Sequence, residues 1–174
     1  MRVEMFRIGM LIIASVAISS LTEAQRIQPL DSADFNVAGI SGNLDTSAVI
    51  NRLGMPTTRK SEINPFDSPS RLHIWKYPGL SVHFASDYTV FGITVDSPRY
   101  PTKRGLKAGD SVLRLRRLYG EPSEVDENES AYAGPVNVRD VDWDYQDPAH
   151  EMHVIRVTLR NNKVRSIYLG ALLD

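Results

Sequence analysis

Two histidines near the end of the chain have a spacing that suggests comparison with metal sites. His150 and His153 stand in the stretch His-Glu-Met-His, with an acidic residue between them. The zincin pattern places two histidines four residues apart on a helix, so that both imidazoles share one face. A separation of three on a predicted strand would instead turn them to opposite faces. We therefore expect no metal centre here; His73 and His83 stand alone in the sequence.

Three aspartates alternate with apolar residues just upstream. Asp140, Asp142 and Asp144 project to one face of a predicted strand, with carboxylates roughly 7 Å apart. Such a row could bind a cation or a basic partner, or be a solvated strand face. Calcium sites gather their ligands from loops with a tight glycine turn, which is absent here. The sequence therefore favours a solvated face, with a protein-binding patch as the alternative.

The rest of the chain lacks the patterns typical of catalysis. The sequence contains no nucleophile elbow, phosphate-binding glycine loop, cluster of ligands or pair of catalytic carboxylates. It also contains no cysteine, which excludes a catalytic thiol, a thiolate metal site, a disulfide framework and lipid attachment at cysteine. We predict that the protein is not an enzyme and has no cofactor.

Charge gives little indication of a partner. The formal net charge is −1, from 20 Lys and Arg against 21 Asp and Glu, so nothing favours nucleic acid. A local basic cluster precedes an acidic run at 121–129; its members are Lys103, Arg104, Lys107, Arg114, Arg116 and Arg117. We interpret it as the exposed side of an amphipathic helix, with peripheral contact to anionic lipid or lipopolysaccharide as the alternative.

The N-terminus has the order of regions found in secretory signal peptides. Arg2 and Arg7 precede an apolar run at 8–18, and the small-residue site Thr22-Glu23-Ala24 follows. Signal peptides combine a basic start, about 7–15 apolar residues and such a site, whereas a membrane span needs about 20 apolar residues. We predict a periplasmic or secreted protein cleaved near Ala24, without a transmembrane segment in the mature chain; an uncleaved anchor is the alternative.

A pattern occurs twice along the chain. Residues 40–56 read ISGNLDTSAVINRLGMP and residues 106–122 read LKAGDSVLRLRRLYGEP, with their Gly-x-Pro endings in register. A polar loop and a Trp-x-Tyr triplet follow each, at 75–77 and 143–145. This order predicts an internal duplication.

Each copy is predicted to contain one short helix and three strands. Apolar residues at helical spacing lie between a capping residue and a terminating glycine. The candidate caps are Asp45 or Thr46 and Asp110 or Ser111, and the glycines are Gly54 and Gly120. Period-two alternation predicts strands at 71–77, 80–84, 90–95, 141–145, 153–159 and 164–169. The polar loops at 57–70 and 123–135 are predicted to be mobile.

These elements predict an α+β fold of two tandem helix-plus-antiparallel-meander units, with the helices packed on one face of the sheet. The predicted divisions are a signal peptide at 1–24, a loosely held arm at 25–36, and units at 37–97 and 98–174, separated by the proline-containing connector 96–101. The Trp-x-Tyr aromatics are either core or a binding surface. The aspartate row on the opposite parity favours aromatics that face the helices.

The string TKRGLKAGDS at 102–111, followed by a helix and Tyr-Gly-Glu-Pro at 119–122, resembles the SmpA/OmlA (BamE-like) domain and the related beta-lactamase inhibitory protein fold. The match runs from Thr102 to Leu169 and is looser in the first half, where Gly42-Asn43-Leu44 replaces Gly-Asp-Ser. The resemblance implies a two-layer α+β unit that binds proteins through the sheet face without helices. The family's lipidated cysteine and the inhibitor's disulfides are absent, and no functional residue carries over.

We therefore expect an exported periplasmic protein-binding module, either an accessory of envelope assembly or an inhibitor of a secreted hydrolase. The alternative is a periplasmic sensor or carrier that holds a small ligand or lipid between the two units. The expected partner-binding residues lie on the sheet face away from the helices: Lys76, His83, Asp140, Asp142, Asp144, Arg156, Thr158 and Arg160.

Overall fold

The protein is described from a computed structural model that covers residues 27–64, 69–128 and 140–171, except for the side chains of residues 127, 128, 150 and 151. The predicted signal peptide, the start of the arm, residues 65–68 and 129–135 of the two polar loops and the last three residues lie outside the described residues.

Two short helices form where the sequence predicts them. Helix α1 spans Thr46–Leu53 and helix α2 spans Val112–Tyr119. The side chain of Asp45 accepts a hydrogen bond from the Ala48 amide at 2.7 Å, and Ser111 accepts one from the Arg114 amide at 3.3 Å. These contacts satisfy amides that a helix start leaves without partners. Both helices end at a glycine with positive φ, Gly54 and Gly120.

Eight strands follow the chain in two groups of four. The first group is β1 (Thr58–Ile63), β2 (Arg71–Tyr77), β3 (Leu80–Phe84) and β4 (Val90–Val95). The second is β5 (Glu124–Asn128), β6 (Asp140–Asp147), β7 (His150–Arg160) and β8 (Lys163–Ala171). Asn161 and Asn162 both have positive φ between β7 and β8, as a two-residue type I′ hairpin turn requires.

The predicted fold of two tandem helix-plus-meander units was wrong, because all eight strands form one antiparallel sheet in the order β1-β2-β3-β4-β8-β7-β6-β5. Strands β4 and β8 pair directly, from Gly92 opposite Gly170 to Val95 opposite Ile167. If the two halves were separate units, β4 and β8 would each be an unpaired edge strand, and each unit would have only a small core. Both features are unfavourable. Joining the edges merges the apolar residues of both halves into one core.

The resemblance to the SmpA/OmlA (BamE-like) domain was wrong for the same reason. A single eight-stranded sheet with two short helices is not a tandem of the units that the resemblance implied. The motif that carried the resemblance has a local explanation, because Ser111 caps α2 and Gly120 ends it. Residues of these types occur wherever a short helix begins and ends.

The two polar loops contain the outermost strands. Strand β1 lies in the first loop, and all six of its residues are exposed. Strand β5 lies in the second and pairs with β6, with Val125 opposite Trp143. Edge strands rich in charged residues resist pairing with other chains, which fits the sequences TRKSEI and EVDEN.

The Trp-x-Tyr aromatics face the helices, as the sequence predicted. Trp75, Tyr77, Trp143 and Tyr145 are buried in the core. The hydroxyl groups of the two tyrosines donate to the carbonyls of the glycines that end the helices, each at 3.3 Å: Tyr77 to Gly54 and Tyr145 to Gly120. Each tyrosine thereby packs an apolar ring in the core and satisfies a helix-end carbonyl.

The N-terminal segment is anchored, in contrast to the loosely held arm that was predicted. A 3-10 helix spans Ser32–Phe35, and Phe35 is buried in the core. The guanidinium of Arg104 donates to both carboxylate oxygens of the buried Asp34 at 2.9 and 2.6 Å. It also donates to the carbonyls of Gln28 and Pro29. One arginine thus attaches this segment to the loop before α2.

Within the described ranges, no helix is both long and apolar enough to cross a membrane.

Candidate functional site

The candidate site is the sheet face that points away from both helices, which we name the open face. Strand register places one residue of each strand in a row across it. In sheet order the row is Thr58, Lys76, Ser81, Thr94, Tyr168, Arg156, Asp144 and Glu124. Side chains alternate between the faces of a strand, so the structure places all eight residues predicted to bind a partner on this one face.

Arginine–carboxylate pairs organise the half of the open face formed by β6, β7 and β8. Arg156 donates to the two oxygens of Asp144 at 2.8 and 2.7 Å. Arg160 does the same with Asp140 at 2.6 and 2.7 Å, and Arg165 adds a bond at 2.6 Å. Such two-bond pairs fix both side chains in place. Two of the three aspartates of the predicted acidic row, Asp140 and Asp144, are therefore held in ion pairs with arginines.

The ion pairs also set the charge states of these groups. Hydrogen bonds from Arg160 hold the pKa of Asp140 below its ordinary value, with smaller contributions from Arg165. The hydrogen bond to Asp144 raises the pKa of Arg156. Asp140, Arg156 and Arg160 are therefore charged near neutral pH. Since arginines occupy the oxygens of Asp140 and Asp144, these two carboxylates are poorly suited to bind a cation.

Tyr168 lies at the centre of the open face and was missed from the sequence. Its ring covers Gly92, where an added Cβ atom would stand 2.5 Å from the phenol oxygen. Its hydroxyl donates to the Ala171 carbonyl at 2.6 Å. Arg156 is its partner across β7 and β8. Side chains alternate between the two faces of β8, so Tyr168 points to the face opposite to that of its buried neighbours Ile167 and Leu169. This alternation can be read from the sequence and could have identified Tyr168.

His83 is on the open face but is held in a packed environment. Its Nε2 atom is 2.8 Å from the hydroxyl oxygen of Thr94, and its ring meets those of Phe91 and Tyr168 edge-on at about 6 Å. Burial, with a smaller contribution from the charge of Lys76, lowers the pKa of His83 to about 4. The imidazole is neutral at pH 7, so it adds shape and not charge to this surface.

We predict that stability falls as the pH decreases from about 6.5 to 4. The unfolded imidazole titrates near 6.5, so in this range the unfolded chain binds a proton that the folded protein excludes. The expected loss is on the order of 2–3 kcal/mol, and it should be absent in His83→Gln. Urea unfolding at pH 7.5, 5.5 and 4.5 measures both. Equal pH dependence in the two proteins would contradict the assignment to His83.

The pH window separates His83 from the carboxylates. The lowered pKa values of Asp31, Asp87 and Asp140 mean that their stabilisation is lost only as the pH falls below their ordinary value of 3.8. A decline above pH 4.5 therefore reports on the imidazole.

The remaining predicted residues differ in exposure. Lys76 is exposed on β2, whereas Thr158 and Asp142 face each other half-buried on β7 and β6. Of the two histidines in the His-Glu-Met-His stretch, His153 has its ring centroid 5.3 Å from that of Phe35. The side chain of His150 lies outside the described residues. Across the described ranges, no three His, Cys, Asp or Glu side chains gather to hold a metal ion.

The structure also contains a cleft that no sequence motif announced. It has a volume of about 790 Å³ and lies where β4 and β8 stop pairing. Its walls come from the 3-10 helix region, the turn before β4, the loop at 101–103 and the end of β8. Because these segments are distant in sequence, only the folded chain brings them together.

Comparisons with known proteins are sparse. No family model matches the chain, and no curated protein matches it. Among solved structures, it is similar to an extracellular protein containing a SCP domain from Bacillus anthracis str. Ames, with a TM-score of 0.43 and 8% sequence identity. The similarity covers 74% of this chain and 43% of that chain.

Proposed function

We propose that this is an exported, non-enzymatic protein-binding module that holds its partner on the open face. The observation that carries the proposal is the adjacency of Tyr168 and Arg156 at the centre of a sheet face that neither helix covers. Tyrosine and arginine are enriched among the residues that contribute most to protein–protein affinity, especially near the middle of an interface.

The dimensions of the open face support this proposal. Eight strands at about 4.8 Å spacing, each with about six residues at 3.3 Å, span roughly 38 by 20 Å. The product is close to the ~800 Å² that each partner buries in a protein–protein interface of standard size. The predicted residues lie within this area.

The ion pairs supply the second support. Asp144 and Asp140 hold Arg156 and Arg160 in defined positions, while 40% and 38% of these arginine side chains remain exposed. Charged groups that are already oriented lose little conformational freedom on binding. They also select partners of complementary charge more than they add affinity. Lys76 extends this charged pattern to β2.

Site-specific photocrosslinking in the producing bacterium tests the proposal. We expect a photoreactive residue at Ser81 or Thr158, both on the open face, to yield adducts of the same mass. The same residue at Leu113 or Arg117, both exposed on α2, should not yield that adduct. Lys76→Glu should lower the crosslinking yield at Ser81 severalfold without changing the melting temperature by more than a degree or two.

A partner captured from α2 and not from the open face would contradict the proposal. An adduct from position 81 without one from position 158 would contradict the proposal that the partner spans both halves of the sheet. Charge reversal of Arg156 is unsuitable for this test, because it would place two carboxylates together at Asp144 and destabilise the fold.

A further inference from the structure

The side of the protein that carries the two helices has an excess of positive charge. Neither α1 nor α2 contains an acidic residue, and together they contain four exposed arginines: Arg52, Arg114, Arg116 and Arg117. The whole chain, in contrast, has a formal net charge of −1. The helices therefore carry positive charge that the rest of the chain balances.

Most of this charge surrounds α2, in a group of exposed residues that we name the α2 patch: Lys107, Leu113, Arg114, Arg116 and Arg117. Lys107 lies beside the helix, because its amide donates to Asp110 at 2.9 Å and Asp110 pairs with Arg114 at 3.0 Å. Arg116 pairs with Glu121 at 3.3 Å. Within the described ranges, no carboxylate lies within ion-pair distance of Lys107 or Arg117. The four cations of the patch therefore outnumber the two carboxylates beside them.

An apolar side chain lies among these cations. Leu113 is 62% exposed, and it stands one helical turn before Arg117, so the two side chains share one side of α2. Arg114 follows it directly. Short amphipathic helices that lie on membranes combine apolar groups, which enter the headgroup layer, with lysines and arginines, which attract anionic lipids. The α2 patch has both components.

The start of the described chain lies at the same helix. A Cβ atom added to Gly120 would stand 3.2 Å from the Cδ1 atom of Ile27, so Ile27 packs against the end of α2. The predicted signal peptide ends at Ala24, and three residues span at most about 11 Å. A signal peptide inserted in the membrane would therefore hold the α2 side of the protein next to the bilayer.

From these observations we propose that the α2 patch binds the surface of an anionic lipid bilayer, with Leu113 among the headgroups and the four cations against the lipid phosphates. This proposal goes beyond the protein-binding function, and the patch shares no residue with the open face. Because the helices and the open face lie on opposite sides of the sheet, the open face points away from the membrane and stays accessible to a partner.

Cosedimentation of the purified protein with vesicles tests the proposal. One set of vesicles contains phosphatidylcholine alone, and the other contains equal amounts of phosphatidylcholine and phosphatidylglycerol. We expect binding to the anionic vesicles to be at least about tenfold tighter, because each Lys or Arg near an anionic surface strengthens binding about fivefold. Added salt should weaken this binding, since the Debye length falls below about 10 Å above 0.1 M ionic strength.

Two substitutions in the patch and one outside it locate the contact. Arg117→Glu should weaken binding to the anionic vesicles at least about tenfold, and Leu113→Ser should weaken it severalfold. Lys76→Glu, on the open face, changes the net charge by the same amount as Arg117→Glu and is the matched control. It should leave vesicle binding nearly unchanged. All three side chains are exposed, so each variant should keep the native melting temperature.

The variants also distinguish a lipid surface from other anions. Equal weakening by Arg117→Glu and Lys76→Glu would show attraction by the overall charge of the protein, and the proposal would be overturned. If Leu113→Ser left vesicle binding unchanged, the patch would attract polyanions in general and not a lipid surface. Equal binding of the native protein to neutral and anionic vesicles would also overturn the proposal, whereas the protein-binding function of the open face would stand.

Discussion

Arg104→Ala is expected to lower the free energy of unfolding by about 3–5 kcal/mol, one of the two largest effects we predict. The Asp34 side chain is only 2% exposed, and Arg104 is its cationic partner at 2.6 Å. Removal of the guanidinium would leave a buried carboxylate without that partner, which costs far more than the net gain from an exposed pair. The carbonyls of Gln28 and Pro29 would lose a donor as well.

The adjacent residue provides a matched control. Lys103 forms an ion pair with Asp31, which lies three residues before Asp34. The side chains of both Lys103 and Asp31 are largely exposed. Lys103→Ala should therefore leave the free energy of unfolding nearly unchanged. Urea unfolding followed by far-UV circular dichroism measures both variants. If Arg104→Ala and Lys103→Ala lost equal stability, the ion pair with Asp34 would not be what anchors the N-terminal segment.

Trp143→Ala is expected to cost about 3–5 kcal/mol, because it removes a large side chain from the core and leaves a cavity. The indole is 9% exposed, and the Arg116 guanidinium lies 5.0 Å from its ring centroid. Cross-strand neighbours on the same face, Val157 and Val125, would lose its contacts. Thermal unfolding is the measurement, with Leu113→Ala on the exposed side of α2 as a control that should change stability by less than about 0.5 kcal/mol.

Trp143→Ala also distinguishes the two faces of the sheet. At a temperature at which the Trp143→Ala variant is folded, a photoreactive residue at position 158 should still crosslink the partner. A variant of native stability that no longer captures the partner would show that the aromatic face binds and that the open face does not.

Local chemistry allowed the positions of most elements to be predicted. The two helices follow from a capping Asp45 or Ser111, apolar residues at helical spacing and a terminating glycine, all within about ten residues. The inner strands follow from alternation, as in Val141, Trp143 and Tyr145. The facing of these aromatics was predictable too, because aspartates occupy the other parity.

Strands β1 and β5 could not be predicted in the same way. All the residues of β1 are exposed, so no apolar alternation marks it. In β5 only Val125 is apolar among the described side chains, and it is 51% exposed. An edge strand is defined by the backbone of its neighbour, here β2 and β6, and not by the burial of its own side chains.

The sequence by itself determined which segments become helices and strands and which side of each is apolar, because these properties depend on neighbours a few residues away. Only the tertiary structure decided that β4 and β8 join into one sheet. Pairing of Gly92 with Gly170 links positions far apart in the chain, and no residue pattern encodes such a choice locally. The Asp34–Arg104 anchor, the arginine pairs of the open face and the cleft around Lys103 depend on the same long-range contacts. These features are therefore where structure, and not sequence pattern, identifies candidate function.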